Sequence, residues 1–215
     1  MNELPTPYYQ DDYCTIYNSD CRDVLPLLPK VDAIITDPPY GYGWNTDYSR
    51  FSRGTTDKEK IANDDHIDLS WLYDMPCERI IFGANLANQP LTGSLLVWDK
   101  RCADGFSFLS DGEAAYWSEG RGVYIFSQNA QRVRAKGGLH PTQKPVGLML
   151  WCIGKAKSQG TILDPYMGSG STLRAAKDLR RHAIGIEIEE KYCEIGARRL
   201  SQEVLPLEYP TREEA

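Results

Sequence analysis

Short apolar runs, separated by polar, proline-bearing or glycine-bearing stretches, set the rhythm of the chain. They are "YCTIYN", "VDAIITD", "RIIFGAN", "SLLVWDK", "EAAYWSE", "GVYIFSQ", "TILDPY" and "HAIGIEI". Most are continuous rather than alternating, which is the pattern of strands covered on both faces. Three longer segments carry helical spacing. "KPVGLMLWCIGKAKSQG" starts after a proline and closes on Gly160, and "STLRAAKDLRR" follows "GSG" with Leu173, Ala176 and Leu179 at core spacing. "EKYCEIGARRLSQE" places Tyr192, Ile195 and Leu200 near one face. Strands alternating with helices predict an α/β fold, a mostly parallel sheet wound on both faces. The short gap between "EAAYWSE" and "GVYIFSQ" predicts an antiparallel strand pair within it.

At 215 residues the chain has room for a single domain over 1–215. The polar, aperiodic residues 45–65 read as a long mobile loop, and the final "LPLEYPTREEA" as a frayed tail. The formal net charge of −6 excludes a protein coated in basic surface, so any nucleic-acid contact must come from a local patch. The acidic, proline-broken N-terminus does not resemble a signal peptide, and no apolar run approaches the roughly 20 residues that span a bilayer. Cys14, Cys21, Cys77, Cys102, Cys152 and Cys193 are scattered with no C-x-x-C pair. That spacing points to buried or idle thiols in a reducing cytosol, with no metal site and no disulfide scaffold.

Two strand ends carry unusual punctuation. "TDPPYGYGW" puts a carboxylate (Asp37), a stiff Pro38–Pro39 step and an aromatic ring (Tyr40) where the run "VDAIITD" must stop, because tandem prolines cannot continue a central strand. Alone, the stretch reads first as an ordinary turn. "TILDPYMGSGST" ends a second strand with Gly168 and Gly170, which allow a sharp turn and close approach of a ligand, and the following helix start adds free N–H groups. It is not a P-loop, because no lysine follows Gly170, and Leu173 stands where a dinucleotide fingerprint has its third glycine. Downstream, "AIGIEIEE" ends a strand on Glu187, an acid placed to bind ribose hydroxyls. A structural glycine turn followed by a helix-capping glutamate fits these last residues as well.

"TDPPYGYG", "HPTQKP" (residues 140–145) and "LDPYMGSGST" together resemble three signature motifs of the DNA amino-methyltransferases, and "AIGIEIEEKYCEIGARRL" is similar to the segment that follows them. The matches run from about residue 14 to 200. With the catalytic motif first and the glycine loop last, the order is that of the family's permuted beta group. The resemblance implies a Rossmann-like S-adenosylmethionine-dependent methyltransferase fold that methylates an exocyclic amine, adenine N6 or cytosine N4, in DNA. Tyr166 replaces the usual Phe and Ser171 the usual Thr. The target-recognition region, about residues 101–139, is short for the family.

The chemistry explains the first motif. An exocyclic amine is a poor nucleophile whose lone pair is delocalised, and acceptors aimed at its hydrogens favour rehybridisation and the developing positive charge. Asp37 offers a carboxylate, Pro38 a carbonyl in a fixed direction, and Tyr40, behind Pro39, a face for an extruded base. The resemblance assigns Asp164, Pro165, Tyr166, Gly168, Ser169 and Gly170 to the methionine end of the cofactor, with Asp37 bordering it. It gives Glu187 the ribose and Asp20 the adenine ring. Thr142 and Lys144 would fix the cofactor carboxylate or the adjoining helix, and His140 is read as a structural hydrogen-bonder.

Arg121, Arg132, Arg134 and Lys136 form a basic stretch read either as a phosphate-contacting patch beside the catalytic mouth or as a solvated loop. DNA is the expected partner and a membrane is not; pairing of two copies is left open. Asp in the first motif favours adenine N6 over the alternative, cytosine N4. RNA or protein-amide methylation, usually with Asn at that position, and an idle nucleic-acid-binding protein are the further alternatives.

Overall fold

The computed structural model describes residues 3–40, 68–86, 91–101, 110–129 and 143–202. Within them, nine strands form one sheet in the order β1-β2-β9-β8-β3-β4-β6-β5-β7. In chain order these are β1 (Tyr9–Gln10), β2 (Cys14–Asn18), β3 (Ala33–Thr36), β4 (Glu78–Phe82), β5 (Ser94–Asp99), β6 (Gly112–Trp117), β7 (Val123–Ser127), β8 (Ile162–Asp164) and β9 (Ala183–Glu187). The helices are α1 (Cys21–Val24), α2 (Ser70–Asp74), α3 (Val146–Lys155), α4 (Ser171–Asp178) and α5 (Glu190–Ser201).

Every apolar run singled out in the sequence is a strand. The sheet runs parallel from β2 through β9, β8 and β3 to β4, and continues in the same direction through β5 and β7. Only β6 and the two-residue β1 oppose their neighbours. The expected pairing of β6 with β7 does not form. Both edges of β6 are occupied, by β4 and β5, so β7 adds in parallel to the free edge of β5.

Central strands are continuous because both faces are covered: β3 and β8 are buried at every position. Adjacent residues feed opposite cores. Ile35, Ile80 and Phe82 pack under α3, α4 and α5, while Ile34, Ile81 and Leu163 pack under α1 and α2. The outermost strand β7 alternates instead, with Val123 and Ile125 exposed and Tyr124 and Phe126 turned in.

The first long helix stops at Lys155, well before Gly160. Its following residues are captured sideways: Glu78 accepts the N–H groups of Lys157 (2.9 Å) and Ser158 (2.6 Å), and Asp32 accepts that of Thr161 (2.8 Å). Those acids compete successfully with the next helical turn.

Candidate active site

The carboxyl ends of the parallel strands converge on one side of the sheet. Between β8 and β3 the connections diverge: β8 leads through α4 to β9 on one side, and β3 leads to β4 on the other. Such a switch point opens a crevice in a doubly wound sheet. The two punctuated motifs flank it, Asp164 ending β8 and Asp37 directly following β3. A hydrogen bond ties them together, from the Thr36 hydroxyl to Asp164 Oδ1 at 2.8 Å.

Asp164 is buried and faces inward, where it also accepts the N–H of Tyr166 at 3.2 Å. Burial pushes its carboxyl up to about 6, against the hydrogen bonds from Thr172 and Thr36. It therefore braces the loop from within. Beyond it, Gly168 and Gly170 adopt positive φ of 49° and 75°, and α4 begins immediately afterwards. A Cβ at Gly168 would meet no atom within 4 Å, so this turn faces open space. Ser169 is buried, and Arg199 of α5 reaches Ser171 Oγ at 3.1 Å and Ser169 Oγ at 3.5 Å, clamping the loop from behind.

Glu187 stands at the tip of β9 with one oxygen accepting the Gly168 N–H (3.0 Å) and the other the Glu189 N–H (2.9 Å). Burial raises its carboxyl and those two donors pull the other way. Loop and acid, separate in sequence, are thus in contact. At the next strand tip, Asp20 caps α1 by accepting the Arg22 N–H at 2.9 Å and pairs with the Arg22 guanidinium, which lowers its pKa from the ordinary aspartate value. Tyr166 bonds to the Cys21 thiol beside it.

On the other side of the crevice, Tyr40 donates its hydroxyl to Asp37 Oδ1 and Lys144 donates to Asp37 Oδ2. Burial pushes the Asp37 carboxyl up; the Lys144 charge opposes this and the Glu113 carboxylate adds to it. Lys144 is itself buried, yet its ammonium is held charged by Asp37 and Glu113 against that burial. The Tyr40 ring lies over Gly83, whose φ is +82°; a Cβ there would come within 2.3 Å of the ring. Pro38 is buried and Pro39 half-buried, fixing the step between acid and ring.

The structure therefore gathers Asp37, Pro38, Tyr40 and Lys144 on one flank, and Tyr166, Gly168 and Glu187 on the other. Thr142, His140, Arg132, Arg134 and Lys136, with the whole of the expected 45–65 loop and part of the 101–139 region, lie outside the described residues. Arg121 is not beside the catalytic mouth. It precedes β7, which runs parallel to β5 and so to β3, and this places it at the opposite end of the sheet from Asp37. Sequence reasoning missed Gly83, Glu113 and Lys100. The available signal was a lone acid opening an otherwise apolar strand, Glu113 in "GEAAYW".

A family model described as DNA methylase matches residues 55–198. The chain belongs to that DNA methylase family. Among curated relatives, the Type II methyltransferase M.HinfI of Haemophilus influenzae is 28% identical over 248 residues, which covers 87% of this methylase and 68% of that protein. The Type II methyltransferase M2.DpnII of Streptococcus pneumoniae is 43% identical over 74 residues, a match spanning 34% of this chain and 28% of that one. The fold is shared with solved DNA methyltransferases. The M1.HpyAVI–SAM complex superposes with a TM-score of 0.57 at 24% identity, covering 88% of this chain and 100% of that one. The PvuII DNA methyltransferase (cytosine-N4-specific) gives 0.58 at 15% identity, covering 93% and 90%. No helix among the described residues is long and apolar enough to cross a membrane. The five described cysteines are free, and all but Cys77 are buried.

Proposed function

We propose that this DNA methylase transfers a methyl group from S-adenosylmethionine to N6 of adenine in DNA. The observation that carries the reading is the crevice itself, with an acid–proline–tyrosine flank facing a glycine turn and a ribose-competent acid across the switch point. Open space at Gly168 beside the Glu187 carboxylate suits a nucleoside ligand, since the turn admits close approach and the acid accepts from vicinal hydroxyls. Glu187 would hold that ligand's ribose and Asp20 would lie toward its base, with the turn at Gly168 beside its methionine end. When bound, the cofactor supplies an electrophilic methyl on a sulfonium.

The chain's own residues act on the amine. Asp37 and the Pro38 carbonyl accept hydrogen bonds from its two hydrogens, which localises the nitrogen lone pair and stabilises positive charge as it develops. Tyr40 presents a ring on which an extruded base can stack, a contact worth about 1–3 kcal/mol against the cost of unstacking. Asp37, where members acting on cytosine more often have Ser, favours adenine, and the absence of Asn there argues against an RNA or protein-amide substrate. The likeness to the cytosine-N4-specific PvuII enzyme favours cytosine N4 as the second reading. Incubating the protein with labelled cofactor and unmethylated DNA, followed by nucleoside analysis, is expected to yield N6-methyladenine. N4-methylcytosine would replace the reading with the second, and no labelled nucleoside would overturn both.

A further inference from the structure

Behind Asp37 lies a row of charges that alternate in sign and come from four separate parts of the chain. Asp37 follows β3; Lys144 precedes α3; Glu113 opens β6; Lys100 follows β5. Lys144 Nζ contacts Asp37 Oδ2 and lies 2.9 Å from Glu113 Oε2, while Lys100 Nζ pairs with the other Glu113 oxygen. The Phe82 ring, 5.2 Å from Lys144 Nζ, closes off a third side of the ammonium. Lys144 is therefore enclosed, with two carboxylates competing for it. The row sums to zero charge, and removing either outer member breaks that balance.

We infer that Glu113, balanced by Lys100, is a positioning residue for methyl transfer, holding Lys144 at a shared distance so that it orients Asp37 without neutralising it. The inference rests on the reading of Asp37 as the acceptor for the target amine. Without Glu113, all of the Lys144 charge falls on Asp37, and Lys100 is left as an uncompensated cation behind a nitrogen that must become positive. At the short separations here, Coulomb interactions in a protein interior are large enough to matter. Burial opposes ionisation of Glu113, but the Lys144 and Lys100 charges outweigh it and draw the carboxyl down to about 2. The charged and titratable groups facing Asp37 are Tyr40, Lys144, Glu113 and, behind Thr36, Asp164.

Glu113→Gln preserves shape and removes the charge. It is expected to lower kcat about tenfold or more while KM for DNA changes little, and to move the acid limb of the kcat–pH profile about one unit downward, because Asp37 loses a repelling neighbour. The double variant Lys100→Met with Glu113→Gln removes the uncompensated Lys100 charge but leaves Lys144 wholly on Asp37, so it should recover part of the lost kcat. A merely structural pair would make the double variant worse than either single one, and that result would overturn the inference. An independent readout needs no DNA: the carboxyl carbon of Asp37, assigned with Asp37→Asn, is titrated by NMR in the wild-type protein and in Glu113→Gln. An unmoved midpoint overturns the role of Glu113 even if the enzyme methylates DNA. A lowered midpoint supports the electrostatic coupling even if the wild-type protein turns out to act on another amine.

Discussion

At the level of single residues, the site depends on two side chains whose neighbours leave them little freedom. Both Asp37 oxygens already have a donor, from Tyr40 and Lys144, so the carboxylate is oriented before any substrate arrives. Asp37→Ala should reduce kcat by about 10²–10³-fold, the usual cost of removing one aligned group that stabilises developing charge. Cofactor affinity by calorimetry should stay close to wild type, because Glu187 and the glycine turn remain. Near wild-type turnover in this variant would remove Asp37 from the chemistry. Gly83 is a subtler case. Alanine there meets both an unfavourable φ of +82° and the Tyr40 ring at 2.3 Å. Gly83→Ala is expected to cost about 1–2 kcal/mol of stability through backbone strain. It should also displace Tyr40, so that kcat on DNA falls by more than the loss of folded protein explains. Equal losses of folded fraction and turnover would show that Tyr40 has no part in transfer.

At the level of elements, strand tips do most of the work, and one element outside the crevice holds the sheet's edge. The two-residue β1 pairs with β2 through a turn built on Asp11. Asp11 accepts from the N–H groups of Tyr13 (2.9 Å) and Cys14 (2.7 Å), from the Tyr9 hydroxyl (2.8 Å) and from Lys177 of α4 (2.5 Å). Burial works against its charge, but Lys177 and the two backbone donors outweigh it and bring the carboxyl down to about 2. A depressed carboxyl stabilises the fold above the unfolded-state value, and this contribution is lost as pH falls from about 4 toward 2. Asp11→Ala should therefore lower the melting temperature at neutral pH by several degrees, at about 1–3 kcal/mol for the stranded donors. Melting curves at pH 7 and pH 3 should show the gap to wild type shrinking at the lower pH. A gap that stays constant would mean Asp11 acts through shape and not charge.

Much of this architecture is legible in the sequence. Continuous apolar runs announced the central strands because burial on two faces erases alternation, and Gly168, Gly170 and the tandem prolines marked strand ends because few other residues can stand there. The β6–β7 pairing was misread because proximity in sequence says nothing about which sheet edges are already taken. The end of α3 was misread because Glu78 and Asp32, distant in sequence, supply its competing acceptors. Glu113 and Lys100 were invisible for the same reason: a charge network assembled from four parts of the chain has no local spacing to recognise.

At the level of the whole molecule, electrostatics set the terms on which DNA can be approached. The net charge is −6, and the described rim of the crevice carries Asp20, Asp37, Asp99, Asp111, Glu113 and Glu187 against Arg22, Lys100, Arg101 and Lys144. All four of those cations are paired with nearby acids: Arg22 with Asp20, Arg101 with Asp111, and Lys100 and Lys144 with Glu113. Arg121 stands at the far end of the sheet. We propose that the basic residues following β7 contact phosphate, with Arg132 and Arg134 as carriers. Such contacts fix position without reading sequence, so neutralising both should weaken binding to all DNA sequences alike. Each lost phosphate contact removes about 0.9 from the slope of log K against log salt, so the Arg132→Gln, Arg134→Gln variant should flatten that slope by about 2. Titrations of one duplex at several salt concentrations measure it directly. An unchanged slope, with affinity lost on only one sequence, would mean that these arginines touch base edges and belong to target choice.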